Sequence, residues 1–377
     1  MLKVALLAPY PRDENFTRGG VEKVTHGLVE GLRLRDDLEL HVVALSDVSR
    51  PAEKRVGRVF VHYLPRQRKF CLPTFSALSV ARARSKIRSL RPDLVHCQES
   101  GLESFIAAGI DIPSVVTIHA IFRNEAPHYP GLKAKARYTQ IAWMHAWAEK
   151  RIRHYVPSSA YAEAELSHLG SKLLPVIENP VDPRWFEVPE GCLPGRLLFA
   201  GTMYPRKGVL DLVRAAGRLR RRGVPFTLHM TGEVRDPDYF AQVRAAAQEE
   251  GIAEAVEFRG LVTEDEMARE FREAAIVVLP SYAETSPMVI GQAMAAARPV
   301  VGTTVGGVPY LVEHGVNGLL GTPGDIEGLA QRLADILTDD DVRQRMARSA
   351  REKAVARFSA PEVAAQAMAV YRTVLGR

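Results

Sequence analysis

What most constrains the fold of this chain is a rhythm of short, uniformly apolar runs separated by helix-forming stretches, broken once and then resumed. The first half contains KVALLAP (3–9), LELHVVAL (38–45), RVFVHYL (58–64), DLVHCQ (93–98), PSVVTIHA (113–120), IRHYVPSS (152–159) and LPVIENP (174–180). A run that is apolar at nearly every position needs cover on both faces, which a parallel sheet between helical layers provides. Between the runs lie helical stretches such as 19–34, where Val21, Val24, Leu28 and Leu32 share one face. The segment 179–195 then carries Pro180, Pro183, Pro189 and Pro194 without any periodicity, as an interdomain linker would. The rhythm restarts with RLLFAG (196–201), a helix near 208–221, PFTLHMTG (225–232), VEFRG (256–260) and AIVVLPS (275–281). From about 325 the chain is helical, and the closing segment 361–377 has an apolar face that needs a partner. The expected class is α/β, with two doubly wound parallel-sheet domains, 1–180 and 181–360. A chain of 377 residues is long enough for two such cores. Ligands of such sheets bind beyond the carboxyl ends of the strands, so a cleft between the halves is the expected site.

Composition removes several alternatives. No window approaches 18 uncharged apolar residues, so no membrane-spanning helix is expected. The opening MLKVALLAP is too short and too strand-like for a signal peptide. Cys71, Cys97 and Cys192 have no paired spacing, which points to neither a disulfide framework nor a zinc site and suits a reducing cytoplasm. The net charge of +6 is uneven: residues 1–180 hold 26 Lys+Arg against 18 Asp+Glu, and residues 181–377 hold 24 against 26. The excess gathers in RQRK (66–69), ARARSKIRSLR (81–91) and KAKAR (133–137). Solvated helix faces account for such clusters; contact with an anionic acceptor or a membrane surface is the alternative, with Trp143 and Trp147 nearby.

The stretch 283–320 carries the strongest chemical signal. It follows an apolar strand, places Glu284 just before a helix, and offers Ser286 as a cap and Pro287 as the first helical residue. Gly302, Gly306 and Gly307 mark backbone that something approaches closely. A carboxylate, a helix start and a Gly-rich turn together suit a phosphorylated, sugar-like ligand. Gly19-Gly20, between the first strand and a helix, would let a diphosphate approach, although a tight turn explains the pair equally well and the dinucleotide spacing is absent. GTMYPRKG (201–208) lacks the ending of a P-loop, but Arg206 and Lys207 at a strand-to-helix turn can neutralise a diphosphate. His119 ends a strand and is a candidate for catalysis; His96 is read as structural. Asp236 and Asp238 resemble a metal pair but fit helix capping better.

With these elements in order, GGVE, DLVHCQ, TIHA, VPSS, ENPVD, GTMYPRKG, VEFRG and GGVPYLVEHGVNGLL give a chain that resembles the family-4 retaining, nucleotide-sugar-dependent glycosyltransferases along its whole length. The resemblance implies the GT-B fold: two Rossmann-like domains facing across a cleft, the second binding the nucleotide-sugar donor and the first the acceptor, with the C-terminal helix crossing back to the first. It implies that Lys207 and Arg206 hold the diphosphate and that Glu284, the first acid of the family's E-x7-E pattern, meets donor-sugar hydroxyls. The backbone at Thr285, Ser286, Pro287, Met288 and Val289 would meet sugar and phosphates. Gly19 and Gly20 would face the diphosphate, and His119 would stand beside the reacting sugar. Gly232, Glu233, Leu261 and Val262 would lie near the nucleobase. Catalysis would then involve His119, Glu284, Arg206 and Lys207, without a metal and without a cofactor beyond the donor itself.

Three departures from the pattern stand out. Gln292 occupies the second position of E-x7-E, where an amide offers one acceptor and one donor in place of a carboxylate's two acceptors for ribose. Thr202 stands where many members carry Arg, and Tyr310 replaces an acidic residue. The expected activity is transfer from a UDP- or GDP-sugar to an acceptor hydroxyl in glycan, polysaccharide or glycolipid synthesis. The acceptor side is expected to favour an anionic or lipid-linked molecule, with peripheral contact at the inner membrane face and no nucleic acid. An inactive partner protein, a same-fold epimerase and a sugar phosphorylase are the alternatives.

Overall fold

The computed structural model describes all residues except 14, 16–18, 68, 70, 72–73, 100, 120–131 and 190, and only the backbone of 132–134. Arg68 and the Lys133 side chain of the basic clusters, Ala120 at the end of the fifth run and Glu190 of the proline-rich segment therefore lie outside the described residues.

The chain forms two compact units, Met1–Asp182 with Ser359–Arg377, and Pro183–Phe358. The first contains β1 (Leu2–Leu7), β2 (Leu38–Ser46), β3 (Ala52–Val56), β4 (Val59–Pro65), β5 (Leu94–Cys97), β6 (Ser114–Ile118) and β7 (His154–Pro157), in the sheet order β3-β4-β2-β1-β5-β6-β7. All neighbours are parallel except the β3–β4 pair. In β1 the side chains alternate between two cores: Val4 and Leu6 join one, Ala5 and Leu7 the other. That is why the run reads as apolar throughout. β3, AEKRV, went unread in the sequence because it is an exposed, charged edge strand with no buried face. LPVIENP (174–180) forms no strand; it runs beside β7 through Leu174 N to Tyr155 O (2.8 Å) and Ile177 N to Pro157 O (3.1 Å).

Helix α1 (Gly20–Leu32) buries Val24, Leu28 and Leu32 against this sheet. The C-terminal helix Ala360–Val374 packs into the same core with Val363, Ala364, Ala367, Met368 and Tyr371. Each large apolar side chain buried this way contributes about 1.5–3 kcal/mol. The approach of that helix to α1 requires glycine: a Cβ on Gly31 would stand 2.0 Å from Ala360 O.

The second unit holds β8 (Arg196–Ala200), β9 (Thr227–Thr231), β10 (Val256–Gly260), β11 (Ile276–Leu279), β12 (Val300–Thr303) and β13 (Gly318–Gly321), ordered β10-β9-β8-β11-β12-β13. Every pairing is parallel. The proline-rich segment is not slack for most of its length. Trp185, 1% exposed, stacks edge-on against Phe271 at 4.9 Å, and the buried Arg298 guanidinium donates to Phe271 O and Pro189 O, both at 2.8 Å. Residues from Pro183 onward thus belong to the second unit, because an indole and a guanidinium fix a stretch whose sequence shows no periodicity. Among the described residues no helix is long and apolar enough to cross a membrane.

Candidate functional site

In a parallel sheet every strand ends on the same edge, so the segments that follow the strands are gathered there whatever their separation in sequence. In the second unit that edge collects 201–207 after β8, Gly232-Glu233 after β9, Leu261-Val262 after β10, 281–287 after β11 and 304–307 after β12. β8 and β11 are neighbours across the point where the strand order reverses. Lys207 follows the first and Glu284 the second, and they meet there: Lys207 Nζ donates to Glu284 Oε1 at 2.6 Å. Ser281 Oγ donates to the same oxygen at 2.7 Å, and Thr303 Oγ1 holds Ser281 O at 2.5 Å. The Glu284 carboxylate is thereby buried, 8% exposed, with both partners fixed.

Local sequence explains this geometry. The turn Pro205–Lys207 ends at Gly208, whose φ of 65° is left-handed and whose Cβ would stand 2.1 Å from Pro280 O. Only glycine lets this turn close onto the end of β11. Tyr282 N then donates to Arg206 O at 2.8 Å. Arg206 itself is held in place, with Nε donating to Tyr204 Oη (2.6 Å) and Nη1 to Ala283 O (3.3 Å).

The glycine pair 306–307 has a partner within the chain. A Cβ on Gly306 would lie 1.8 Å from Glu284 O and one on Gly307 1.9 Å from Thr285 O, while Gly307 N donates to Glu284 O at 3.0 Å. What approaches these glycines is the 284–285 backbone, which they press into position. The helix starts one residue later than expected, at Met288, with Pro287 as its N-cap at φ −71°, ψ 113° and no side-chain cap. Ser286 is therefore not the cap: the extended ψ of Pro287 delays helical geometry until Met288. First-turn amides at Met288 and Val289 remain without helical acceptors, which is the property an anion uses.

The other expected donor residues are spread along the edge. Gly232, at φ 136°, would carry its Cβ 2.0 Å from Gly201 O, and Glu233 O accepts from Met203 N at 2.8 Å. Glu233 and Leu261 are exposed, and Val262 is partly so. Gln292 is buried within the helix Met288–Ala295. Asp236 caps the helix Pro237–Glu249 by accepting from Tyr239 N at 3.0 Å. Among the described residues no cluster of three His, Cys, Asp or Glu is gathered around a metal position.

In the first unit, Gly19 (φ 115°) precedes α1 with open space where a Cβ would stand. Gly20 opens the helix and is exposed. His119 follows β6 and joins a chain of hydrogen bonds that the sequence reading missed. His119 Nε2 lies 2.8 Å from Gln98 Oε1, Gln98 Nε2 lies 3.0 Å from His96 Nε2, and His96 Nδ1 lies 2.8 Å from Tyr371 Oη. With the Gln98 amide donating to His96, His119 must carry its proton on Nε2 and His96 on Nδ1. Burial pushes the His96 pKa down to about 3, helped by the neighbouring His119. Burial likewise lowers His119 to about 4, against the Asn179 side chain, which favours the protonated ring and acts to raise it. Both rings are neutral near pH 7. The signal for Gln98 was its place directly after a strand; the signal for Tyr371 was nil, since it lies 275 residues from His96.

Two family models match the chain: Glycosyltransferase Family 4 over residues 18–185 and Glycosyl transferases group 1 over residues 194–339. The glycogen synthase of Mycobacterium tuberculosis is 31% identical over 293 residues, covering 75% of this chain and 69% of that protein. An MMP alpha-(1->4)-mannosyltransferase of Mycolicibacterium hassiacum is 29% identical over 304 residues, covering 76% and 71%. Among solved structures, sucrose-phosphate synthase from Thermosynechococcus elongatus aligns over 100% of both chains with a TM-score of 0.78 at 20% identity. HepE from Anabaena, in complex with UDP-glucose, aligns over 99% of this chain and 100% of its own with a TM-score of 0.76 at 20% identity. The two units thus have the GT-B fold.

Proposed function

The chain belongs to the family-4 glycosyltransferases, glycosyl transferases group 1, which move a sugar from a nucleotide sugar, and from that premise we propose how this member does so. It is a retaining hexosyltransferase that uses a UDP- or GDP-sugar and an acceptor hydroxyl, with no metal and no other cofactor. The observation that carries this reading is the contact of Lys207 with Glu284 across the strand-order reversal of the second sheet. An ammonium has three donors, and Glu284 takes one of them. The others, with the Arg206 guanidinium and the first-turn amides at Met288 and Val289, suit the leaving diphosphate. Glu284 suits donor-sugar hydroxyls, and Gly232, Glu233, Leu261 and Val262 suit the base. Gly19 and Gly20 suit the diphosphate from the first unit. HepE, which shares the fold, is a UDP-glucose complex, which favours UDP as the first nucleotide to try.

Retention without a carboxylate nucleophile implies attack by the acceptor on the face the diphosphate leaves. The leaving phosphate oxygen takes the acceptor proton as the new glycosidic bond forms and the anomeric C–O bond breaks. Lys207 and Arg206 stabilise the negative charge that develops on the diphosphate. His119, neutral and with its Nε2 proton given to Gln98 Oε1, can accept one hydrogen bond at Nδ1 beside the sugar and is a poor general acid near pH 7. The acceptor meets the first unit, whose basic excess suits an anionic or lipid-linked molecule and peripheral membrane contact.

The test is a thermal-shift screen of the purified protein against UDP-, GDP- and ADP-sugars and the free nucleotides, followed by donor hydrolysis or transfer. A nucleotide present at about 100 times its Kd stabilises by about 2.7 kcal/mol, a readily measured rise in Tm. A selective shift with turnover supports the enzyme. A shift without hydrolysis or transfer favours the inactive-partner alternative, to which Gln292 and Thr202 lend weight, and no shift from any nucleotide refutes the reading.

A further inference from the structure

The first unit contains an open cavity of about 1250 Å³ that the donor reading leaves unused. It lies at the carboxyl edge of the β1-β2-β4 half of the sheet, between the segments that follow those three strands. Among the described residues its lining includes the four cations Arg12, Arg50, Arg66 and Lys69 and one carboxylate, Asp47. The part that presents Arg66 and Lys69 is pinned by the intervening Gln67. Gln67 N donates to Ser79 Oγ (2.8 Å), its Oε1 accepts from Leu78 N (3.1 Å), and its Nε2 donates to Lys69 O (2.8 Å) and Thr74 Oγ1 (2.7 Å). Ser79 is fully buried on helix α2 (Ala77–Leu90), so the loop that displays the two charges is anchored to the core. Arg66 also faces Glu99 and Glu103. Burial and the adjacent Glu103 push the Glu99 carboxyl up to about 8, so near pH 7 that pair holds a shared proton and offsets Arg66 only in part.

Several cations gathered around a concave surface, outnumbering the carboxylates among the described residues there, form an anion site, and guanidinium forks match phosphate oxygens two at a time. Beside it the surface is apolar and exposed. Leu78, which lines the cavity, is 57% exposed, and the neighbouring Phe75 packs edge-on against Trp143 at 5.0 Å, itself 50% exposed.

We propose that this cavity binds the acceptor substrate through a phosphate group, so that the acceptor is a phosphorylated molecule. It rests on the glycosyltransferase reading above. The phosphate is carried either by a free sugar phosphate or by a phospholipid headgroup, for which the Phe75–Leu78–Trp143 surface would be the contact with the bilayer.

The experiment uses the full chain with UDP at saturation. Glucose 6-phosphate and glucose are titrated calorimetrically, and the protein is sedimented with phosphatidylcholine vesicles with and without phosphatidylglycerol. The comparison protein carries Arg50→Gln, Arg66→Gln and Lys69→Gln together, all exposed positions outside the donor site. The expected result is that the wild type prefers the phosphorylated probe, or the phosphatidylglycerol vesicles, by about tenfold, and that the triple variant loses this preference. The sugar-phosphate arm and the vesicle arm distinguish the two sources. Absence of preference in both arms, or its persistence in the triple variant, overturns the proposal. UDP affinity measured on the same samples separates the two readings: retained UDP binding with no phosphate preference removes only the cavity assignment, whereas loss of UDP binding in the wild type removes the donor reading itself.

Discussion

Replacing Lys207 by alanine removes a cation 2.6 Å from a carboxylate that is 8% exposed. At that distance, with an effective dielectric constant of about 20, the gross attraction is about 6 kcal/mol, much of it offset by the cost of desolvating both groups. Deleting one partner leaves the other buried with its charge uncompensated, which costs about 3–5 kcal/mol. Lys207→Ala should therefore lose stability, with the Ser281 hydroxyl still donating to Glu284 Oε1. If Lys207 also stabilises the leaving diphosphate, transfer falls at least about a hundredfold, equal to about 2.7 kcal/mol of transition-state stabilisation. The two effects separate in a double-variant cycle with Glu284→Gln, which removes the buried charge. Lys207→Ala/Glu284→Gln should regain most of the lost stability in urea denaturation but none of the lost kcat/KM. Turnover near wild type in the folded Lys207→Ala protein, or recovery of transfer in the double variant, would refute the assignment of Lys207 to the diphosphate.

Three further outcomes are expected. Gly306→Ala places a Cβ 1.8 Å from Glu284 O at a φ of +47°, so it should lower stability by more than about 1 kcal/mol and weaken UDP binding, measured by Tm with and without UDP; an unchanged affinity would uncouple the glycine pair from the donor site. Because folded His96 titrates near 3 and unfolded histidine near 6.5, the unfolded chain binds the extra proton in between: stability is full above about pH 6.5 and falls toward about pH 3 by up to about 1.4 kcal/mol per pH unit. His96→Gln should flatten that slope in urea titrations, and an identical slope in both proteins would contradict the neutral assignment. Gln292→Glu restores a second acceptor oxygen at a buried position and should tighten binding of a ribose-bearing nucleotide; equal or weaker UDP affinity in calorimetry would show that Gln292 does not meet the ribose.

Much of the architecture was legible because burial leaves a local trace. Runs such as KVALLAP and AIVVLPS are apolar at successive positions because both their faces are covered, and this identifies parallel strands without any knowledge of their neighbours. β3 left no such trace, since its residues face solvent. Nor did Pro183–Pro189, which reads as a linker but is fixed by Trp185 and Arg298 through contacts with the distant Phe271. The start of the helix after Glu284 was misplaced by one residue because Ser286 and Pro287 are a plausible cap and first residue in isolation, and only the backbone angles at Pro287 decide between registers. Gly306 and Gly307 were legible as a close approach, but not what approaches.

By itself, the sequence determined which segments are strands and helices and which residue types stand at their ends: a carboxylate at 284, cations at 206 and 207, histidines at 96 and 119. Periodicity and capping are properties of neighbours along the chain, so they can be read locally. The tertiary structure alone decided the strand order β10-β9-β8-β11-β12-β13, and with it that Lys207 meets Glu284 rather than solvent. It also decided that Tyr371 closes the hydrogen-bond chain from His119 through Gln98 and His96. These contacts join residues 77 and 275 positions apart, and only packing of whole elements brings such residues within a hydrogen bond of each other.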